Sequence, residues 1–219
     1  MTVSADTESE SESDIIPVPE LKPKAAACAK RLRAAERVLI ASHIDADGLT
    51  SAAIAVQALE RAEIPCETVF ANQLDASAIK QIAAAEYGTI LFTDFGSGQL
   101  DVIDPYIRDG YFEAVIADHH QPVMTDNDNL ALSSQYHLNP LLVGINGASE
   151  LSGAGASYVL ARALEDNTAE TDNRDLAALA VVGAVGDMQN SPDGLTGANA
   201  AIVKQAVAAG VIEETTDLR

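Results

Sequence analysis

The sequence predicts an α/β fold in which helices cover both faces of a doubly wound, mainly parallel sheet. Three observations support this prediction. Four short apolar runs, rich in β-branched residues, alternate with longer segments of helical character. The runs lack the polar alternation of half-exposed strands, as expected for strands that are buried on both faces. Three of them lead directly into Asp or His, and ligands of such folds bind at the carboxyl ends of the strands.

The first half of the chain is predicted to contain three helices and three strands. Pro23 opens the first helix, Pro65 ends the second, and either Asp75 or Ser77 caps the third. The predicted helices are residues 23–35, residues 49–62 and a segment that ends at residue 85. The predicted strands are residues 38–41, 67–71 and 89–93.

The second half is predicted to contain four helices, two strands and a polar loop. Gly96 and Gly98 allow a tight turn into the fourth helix, and Pro140 stops the last, short strand. The predicted helices are residues 100–108, 153–164, 176–186 and 197–208, and the predicted strands are residues 113–117 and 136–138. The polar loop is residues 124–129.

The length and composition favour a single globular domain. The chain has 219 residues, of which 47% are hydrophobic, so it can bury a sizeable core. Residues 1–20 are rich in Ser, Glu and Asp and then Pro, and we predict a disordered acidic tail there, followed by the domain at residues 21–219. No apolar run is long enough to span a bilayer and the first residues do not resemble a signal peptide, so we expect a cytoplasmic protein with no membrane partner.

The net charge of −20 has two interpretations. Taken directly, 33 acidic residues against 13 basic ones argue against nucleic acid, because phosphate binding depends on cationic side chains. However, few lysines, many alanines and acid spread along the chain resemble proteins of extreme halophiles, such as halophilic archaea. At molar salt the Debye length is about 3 Å, so such a surface repels itself little. We favour this second interpretation, under which the bulk charge says little about the partner.

Candidate metal ligands follow three of the predicted strands. Because right-handed crossovers place all strand carboxyl ends at one edge of the sheet, residues far apart in sequence should meet there. A solvated acidic turn is the alternative explanation for any one of these segments. The recurrence of Asp and His at several strand ends favours a metal site. Asp187 would join from the end of a buried helix, whereas His137 lies inside a short strand and is interpreted as structural. The side chains expected to converge are His43, Asp45, Asp47, Asp94, Asp118, His119 and His120.

So many carboxylates in one cleft would repel each other, and a pair of divalent cations would relieve that repulsion. Two-metal centres of this kind serve displacement at phosphorus. Mixed imidazole and carboxylate ligands suit Mn²⁺ better than Mg²⁺, although Mg²⁺ or Co²⁺ could substitute. The helix openings at Gly48 and at Gly153 and Gly155 could offer backbone N–H groups to a phosphate, although glycine turns are common without such a role.

These motifs resemble the DHH phosphoesterase superfamily. The resemblance rests on four ordered segments within residues 37–190: His43 to Gly48, Asp94, the triplet from Asp118 to His120, and Gly186-Asp187. The segments around them are similar to the archaeal RecJ-like branch, which includes nucleases associated with the replisome. The resemblance implies a DHH-type catalytic domain that hydrolyses phosphodiester bonds.

The resemblance also implies a role for each motif residue. One Mn²⁺ would be held by His43, Asp45 and Asp94. The other would be held by Asp47, Asp94, His119 and Asp187, so that Asp94 bridges the pair. Asp118 would orient His119 or approach the metals, and His120 would contact the scissile phosphate or support the attacking hydroxide.

The sequence departs from the family pattern at one point. The family usually continues into a C-terminal substrate-binding domain, and nothing after residue 190 matches its glycine-rich histidine motif. We therefore expect a Mn²⁺-dependent single-strand exonuclease domain whose partners are single-stranded nucleic acid or a short oligonucleotide, and possible replisome proteins. The alternatives are a phosphodiesterase or phosphatase acting on short oligonucleotides, cyclic dinucleotides or nucleoside phosphates, and a non-catalytic replisome scaffold.

Overall fold

The computed structural model describes residues 16–123, 135–165 and 172–215. Its centre is a sheet of five parallel strands in the order β2-β1-β3-β4-β5. The strands are β1 (Val38–His43), β2 (Cys66–Ala71), β3 (Thr89–Thr93), β4 (Glu113–Ala117) and β5 (His137–Leu138). The predicted parallel α/β fold is confirmed.

Helices cover both faces of this sheet. The helices are α1 (Lys22–Arg33), α2 (Ala46–Arg61), α3 (Ala76–Ala84), α4 (Leu100–Arg108), α5 (Gly153–Ala163), α6 (Ala177–Gly186) and α7 (Gly197–Ala208). On one face, α3 and α4 bury Ile79, Ile82, Leu100 and Ile103. The other five helices contribute to a larger apolar cluster on the opposite face.

The strand order creates a crevice between β1 and β3. After β1 the chain crosses through α2 to β2 on one side, and it then returns through α3 to β3 on the other side of β1. The helices that follow the two central strands, α2 after β1 and α4 after β3, lie on opposite faces of the sheet, which opens a gap at the carboxyl ends of these strands. Ligands of open α/β sheets bind at such a switch point. The ends of β1 and β3 are where the sequence places His43 and Asp94.

Two boundaries differ from the sequence prediction by more than two residues. Residues 1–15 lie outside the described part of the chain, but residues 16–20 do not belong to a disordered tail, because Val18 is buried and a 3-10 turn at Pro19–Leu21 leads into α1. Helix α2 begins at Ala46 instead of residue 49, since Asp45 caps it by accepting a hydrogen bond from the Gly48 N–H. The predicted polar loop at residues 124–129 lies outside the described residues.

None of the helices in the described ranges combines the length and the apolar character that crossing a bilayer would require.

Helix α6 packs closely against α2 and α5 at Gly183, and we predict that a larger residue there destabilises the fold. A Cβ atom at Gly183 would lie 2.4 Å from Ala154 Cβ and 2.5 Å from both Asp47 Oδ1 and Thr50 Oγ1. We expect Gly183→Ala to reduce the free energy of unfolding by about 1–3 kcal/mol, as overpacking does in tight interiors. Urea denaturation measures this, with Gly88→Ala as the control because a Cβ there has nothing within 4 Å. Equal losses for the two variants would contradict the packing argument.

Candidate metal centre

The first part of the site lies where β1 meets α2. His43 ends β1, and its Nε2 lies 3.1 Å from the carbonyl oxygen of Asn72, to which it can only donate. That hydrogen bond leaves the lone pair on Nδ1, which lies 3.0 Å from Asp45 Oδ2 and 3.7 Å from Asp94 Oδ2. The backbone therefore sets the tautomer that a metal-binding imidazole needs.

Asp94 occupies the centre of the site. It follows β3 directly, its side chain is 1% exposed, and its backbone adopts φ 59° while its N–H donates to the carbonyl of Ala117. This left-handed conformation is uncommon for residues other than glycine, and residues held in it concentrate at functional sites. Gly153 lies so close that a Cβ there would be 2.4 Å from Asp94 Oδ1. The carboxylate therefore sits in a fixed position between β1 and α5.

His119 defines the second part of the site. Its Nδ1 donates to the carbonyl oxygen of Gly147 at 2.7 Å, which leaves the lone pair on Nε2. Nε2 lies 3.2 Å from Asp94 Oδ1, and 3.7 Å from an oxygen of both Asp47 and Asp187. The imidazole is thus held from behind by a carbonyl group and faces three carboxylates.

Asp47 has two kinds of neighbours. Its Oδ2 accepts the Gly153 N–H at 2.7 Å and its Oδ1 accepts the Ala154 N–H at 2.9 Å, while Oδ2 also faces His119. A carboxylate at the beginning of α5 satisfies backbone donors that have no partner within the helix. Asp47 therefore joins α2 to α5 in addition to facing the second part of the site.

The backbone N–H groups of Gly48, Gly153 and Gly155 were predicted to bind a phosphate, and their hydrogen bonds in the structure bear on that prediction. The Gly153 N–H donates to Asp47, the Gly155 N–H to Ser152 Oγ, and the Gly48 N–H to Asp45. Gly48 is required because a Cβ there would lie 2.2 Å from the His43 carbonyl oxygen. Since all three donors already have acceptors within the chain, we do not retain them as phosphate ligands.

Buried nitrogen and oxygen atoms that lack a hydrogen-bond partner show whether this site could hold cations. Among the described residues, both oxygens of Asp94, Nδ1 of His43 and Nε2 of His119 are buried without a regular hydrogen-bond partner. Buried polar atoms nearly always have partners, so four such atoms in one place require an explanation. Oδ2 of Asp94 faces His43 and Asp45, whereas Oδ1 faces His119. Three groups of described residues could hold a cation: His43, Asp45 and Asp94; Asp47, His119 and Asp187; and Asp94, Asp118, His119 and His120. The unpaired atoms lie on both sides of Asp94, with His43 on one side and His119 on the other, which fits two cations that share this carboxylate.

The pKa values of the buried carboxyl groups also favour a cation site. Burial is the largest cause that raises the pKa of Asp94, the contact with His119 opposes it, and the charge of Asp47 adds to it. Burial likewise raises the pKa of Asp47. Both carboxyl groups therefore bind protons more tightly than usual, and divalent cations would remove the need for those protons by neutralising the charge.

Asp118 orients the ring of His120, and it also lies in a candidate ligand group with Asp94 and His119, so its predicted roles, to orient His119 or to approach the metals, stay predictions. Asp118 is fully buried, and its Oδ1 accepts the His120 Nδ1–H at 2.8 Å and the backbone N–H of His119 at 2.7 Å. Burial opposes ionisation, but the hydrogen bond from His120 and the charges of both histidines hold the pKa of Asp118 well below its usual range. The same hydrogen bond raises the pKa of His120. The His119 ring is oriented by its hydrogen bond to the carbonyl of Gly147.

Two residues of the site, Gln189 and Ser97, had no signal in the sequence. Gln189 donates from Nε2 to Asp187 Oδ2 and to the Gly147 carbonyl, both at 2.8 Å, and Asn199 donates to Gln189. His137 is buried behind the site, where its Nε2 lies 2.7 Å from Ser97 Oγ, and the Ser97 N–H donates to Asp118. His137 is in none of the candidate ligand groups within the described residues.

Comparisons with known proteins agree on one family. Residues 37–184 match the DHH family, N-terminal domain. The chain is 33% identical over 175 residues to the uncharacterized protein MJ0831 of Methanocaldococcus jannaschii, covering 77% of this chain and 36% of that protein. It is 27% identical over 199 residues to the single-stranded-DNA-specific exonuclease RecJ of Thermus thermophilus, covering 89% of this chain and 28% of that protein. The chain thus spans about a third of the length of these relatives.

Solved structures show the same similarity. RecJ from Thermus thermophilus in complex with Mn²⁺ superposes with a TM-score of 0.67 at 26% identity, over 88% of this chain and 27% of that one. Exonuclease RecJ bound to manganese superposes with a TM-score of 0.65 at 26% identity, over 86% of this chain and 47% of that one.

Proposed function

The chain belongs to the DHH family, and from this premise we propose that it is a divalent-metal-dependent phosphodiesterase that cleaves single-stranded nucleic acid as an exonuclease. The coarse assignment to a metal-dependent hydrolase is supported by the family and by the similarity to RecJ. The substrate and the mode of cleavage are part of the proposal, since this chain spans about a third of its relatives.

The single observation that carries the proposal is the division of the Asp94 carboxylate between two ligand groups. In our assignment His43, Asp45 and Asp94 would hold one cation. The other is held by Asp94 together with Asp47, His119 and Asp187. We propose Mn²⁺ for both positions because each group mixes imidazole with carboxylate. Two RecJ structures contain manganese, and another RecJ structure, which is 23% identical, contains Mg²⁺.

Divalent cations at such a site polarise the phosphate and neutralise the charge that develops during displacement at phosphorus. The side chains contribute what the cations do not. Asp118 accepts from Nδ1 of His120, so the Nε2 of that half-exposed ring is directed away from Asp118. We propose that His120 Nε2 hydrogen-bonds the scissile phosphate or its attacking water, and that Asp118 holds the ring in the required orientation. Asp94 and His119 are buried away from bulk water, whereas Asp45 and Asp187 lie on the open side of the site.

The experiment that tests the proposal is hydrolysis of an end-labelled single strand and a short oligonucleotide, in high salt, with Mn²⁺ added back to chelator-treated protein. We expect products only when the cation is present, and single-nucleotide products from the shortened end. High salt is chosen because the chain carries a net charge of −20. Failure to cleave either substrate at any Mn²⁺ concentration would contradict the proposal.

A further inference from the structure

Asn139 connects the end of β5 to the segment that carries His120. It directly follows β5 and is fully buried. Its Nδ2 donates to the backbone carbonyl of His120 and to Ser97 Oγ, both at 2.9 Å. Its Oδ1 accepts the Leu141 N–H, also at 2.9 Å. These partners match the two donors and the acceptor of the carboxamide, so its orientation is fixed.

Ser97 extends this connection to Asp118. The Ser97 N–H donates to Asp118 Oδ2 at 2.9 Å, and Oδ1 of the same carboxylate accepts the His120 Nδ1–H at 2.8 Å. The hydrogen bonds therefore return to the residue whose carbonyl Asn139 holds. We call Asn139, Ser97, Asp118 and His120 the His120 network. It holds His120 both by a ring nitrogen and by the backbone carbonyl.

His137 supports this network from behind. Because Ser97 Oγ accepts from Asn139, the hydroxyl proton is available to His137 Nε2, which lies 2.7 Å away. Burial lowers the pKa of His137 to about 4, so the ring is uncharged near neutral pH. His137 thus fixes the direction of the hydroxyl without placing a charge behind Asp118.

The exposed member of the network is the one that needs to be held. Ser97, Asp118 and Asn139 are fully buried, whereas the side chain of His120 is 53% exposed. An exposed ring can change rotamer unless hydrogen bonds hold it. A group that acts on a reacting phosphate must stay within about 0.5 Å of its productive position. The network supplies that restraint.

We propose that Asn139 is a positioning residue for His120, which acts through the carbonyl of His120 and through Ser97 and Asp118. This inference rests on the proposed function, because it concerns how His120 is held against the reacting phosphate. Since Asn139 is fully buried, it affects the reaction only through the groups that it holds.

The first test is Asn139→Ala, which removes both donated hydrogen bonds. We expect kcat for a labelled single strand with saturating Mn²⁺ to fall by about tenfold to a hundredfold, because misplacing a reacting group by about 1 Å can cost that much. KM and the affinity for Mn²⁺ should change little, since none of the proposed cation ligands is removed. Initial rates and calorimetric titration of Mn²⁺ measure these quantities.

The matched control is Asn173→Ala. Asn173 is also fully buried, and its Nδ2 also donates to a backbone carbonyl, that of Ala161, at 2.8 Å. It belongs neither to the His120 network nor to a candidate ligand group within the described residues. Both variants should lower the melting temperature, but only Asn139→Ala should lower kcat.

A double variant separates positioning from a general loss of structure. If Asn139 acts through His120, adding Asn139→Ala to His120→Ala should lower kcat by less than about a further twofold, because the positioned ring is already absent. Ser97→Ala breaks the same network with a smaller change of side chain. It should show the same dependence on His120, and it provides the test if Asn139→Ala does not fold.

Proton NMR observes the ring of His120 without the reaction. The full chain is labelled at its four histidines and studied with Mg²⁺, because Mn²⁺ broadens nearby signals. The Nδ1 proton of His120 should exchange with water faster in Asn139→Ala and in Ser97→Ala than in the original chain, because the hydrogen bond to Asp118 opens more often. Asn173→Ala should leave this exchange unchanged.

The outcomes separate this inference from the proposed function. Losses of kcat that multiply in the double variant, or an unchanged kcat in both Asn139→Ala and Ser97→Ala, would overturn the positioning role. If the original chain hydrolyses no substrate, or if His120→Ala keeps the full rate, the proposed function or the role of His120 in it fails instead. The proton exchange then decides by itself whether Asn139 positions the ring, and equal exchange in all variants would overturn the inference.

Discussion

Replacing Asp94 with Asn is expected to abolish metal-dependent hydrolysis, with a loss in kcat of about a thousandfold or more. Each oxygen of this carboxylate faces a different ligand group, and Asn offers only one oxygen and no charge. The fold should persist, because Asn has nearly the same size and also tolerates the left-handed conformation that residue 94 adopts. Initial rates with saturating Mn²⁺ measure the effect, and thermal unfolding in the presence of chelator verifies the fold.

The matched control is Asp101→Asn, which removes an exposed carboxylate in the first turn of α4. It changes the net charge by the same amount and should leave the rate within about twofold, as surface substitutions usually do. An Asp94→Asn protein that keeps more than a tenth of the original rate would show that the shared carboxylate is not essential.

The second large effect is expected from replacing Asp47 with Ala. Comparison with Asp187→Ala separates the contribution of a ligand to protein stability from its contribution to cation binding. Asp47→Ala should destabilise the metal-free protein by about 2–4 kcal/mol, because it leaves two buried N–H groups of α5 without acceptors. Asp187→Ala should cost less than about 1 kcal/mol, because that side chain is 29% exposed and its loss frees only a Gln189 donor. Both substitutions should weaken cation binding and hydrolysis by at least about a hundredfold.

Urea denaturation with chelator and Mn²⁺ titration together test this separation. The expected pattern is a large stability difference between the two variants and a similar loss of activity. If Asp47→Ala were as stable as Asp187→Ala, the hydrogen bonds at the start of α5 would have little effect on stability. If Asp187→Ala retained full activity, Asp187 would not be a ligand.

The sheet was predictable because its signal is local. Buried parallel strands are short apolar runs, and the crossover helices begin and end at capping residues. For α3 the sequence left Asp75 and Ser77 as alternatives, and the structure shows Asp75 as the cap. The convergence of His43, Asp94 and His119 followed from the same reasoning, since parallel strands share one carboxyl edge.

Other parts of the site depend on contacts between distant segments, and no local pattern encodes them. Asp47 accepts from residues more than a hundred positions later in the chain, so the N–H groups of Gly153 and Ala154 serve this carboxylate rather than a phosphate. The ring of His119 is oriented by the carbonyl of Gly147, which has no side-chain signature. Gln189 is likewise held beside Asp187 by contacts beyond its own segment, because it donates to the carbonyl of Gly147 and accepts from Asn199.

The measurement that tests the central claim most directly is calorimetric titration of Mn²⁺ into metal-stripped protein, together with Asp94→Asn. The two ligand groups predict saturation at two cations per chain for the original protein, accompanied by a rise in melting temperature, because ligands that bind the native state stabilise it. Asp94→Asn should bind at most one cation with measurable affinity. Fewer than two cations on the original chain, or two on the variant with unchanged affinity, would contradict a two-cation centre that shares Asp94.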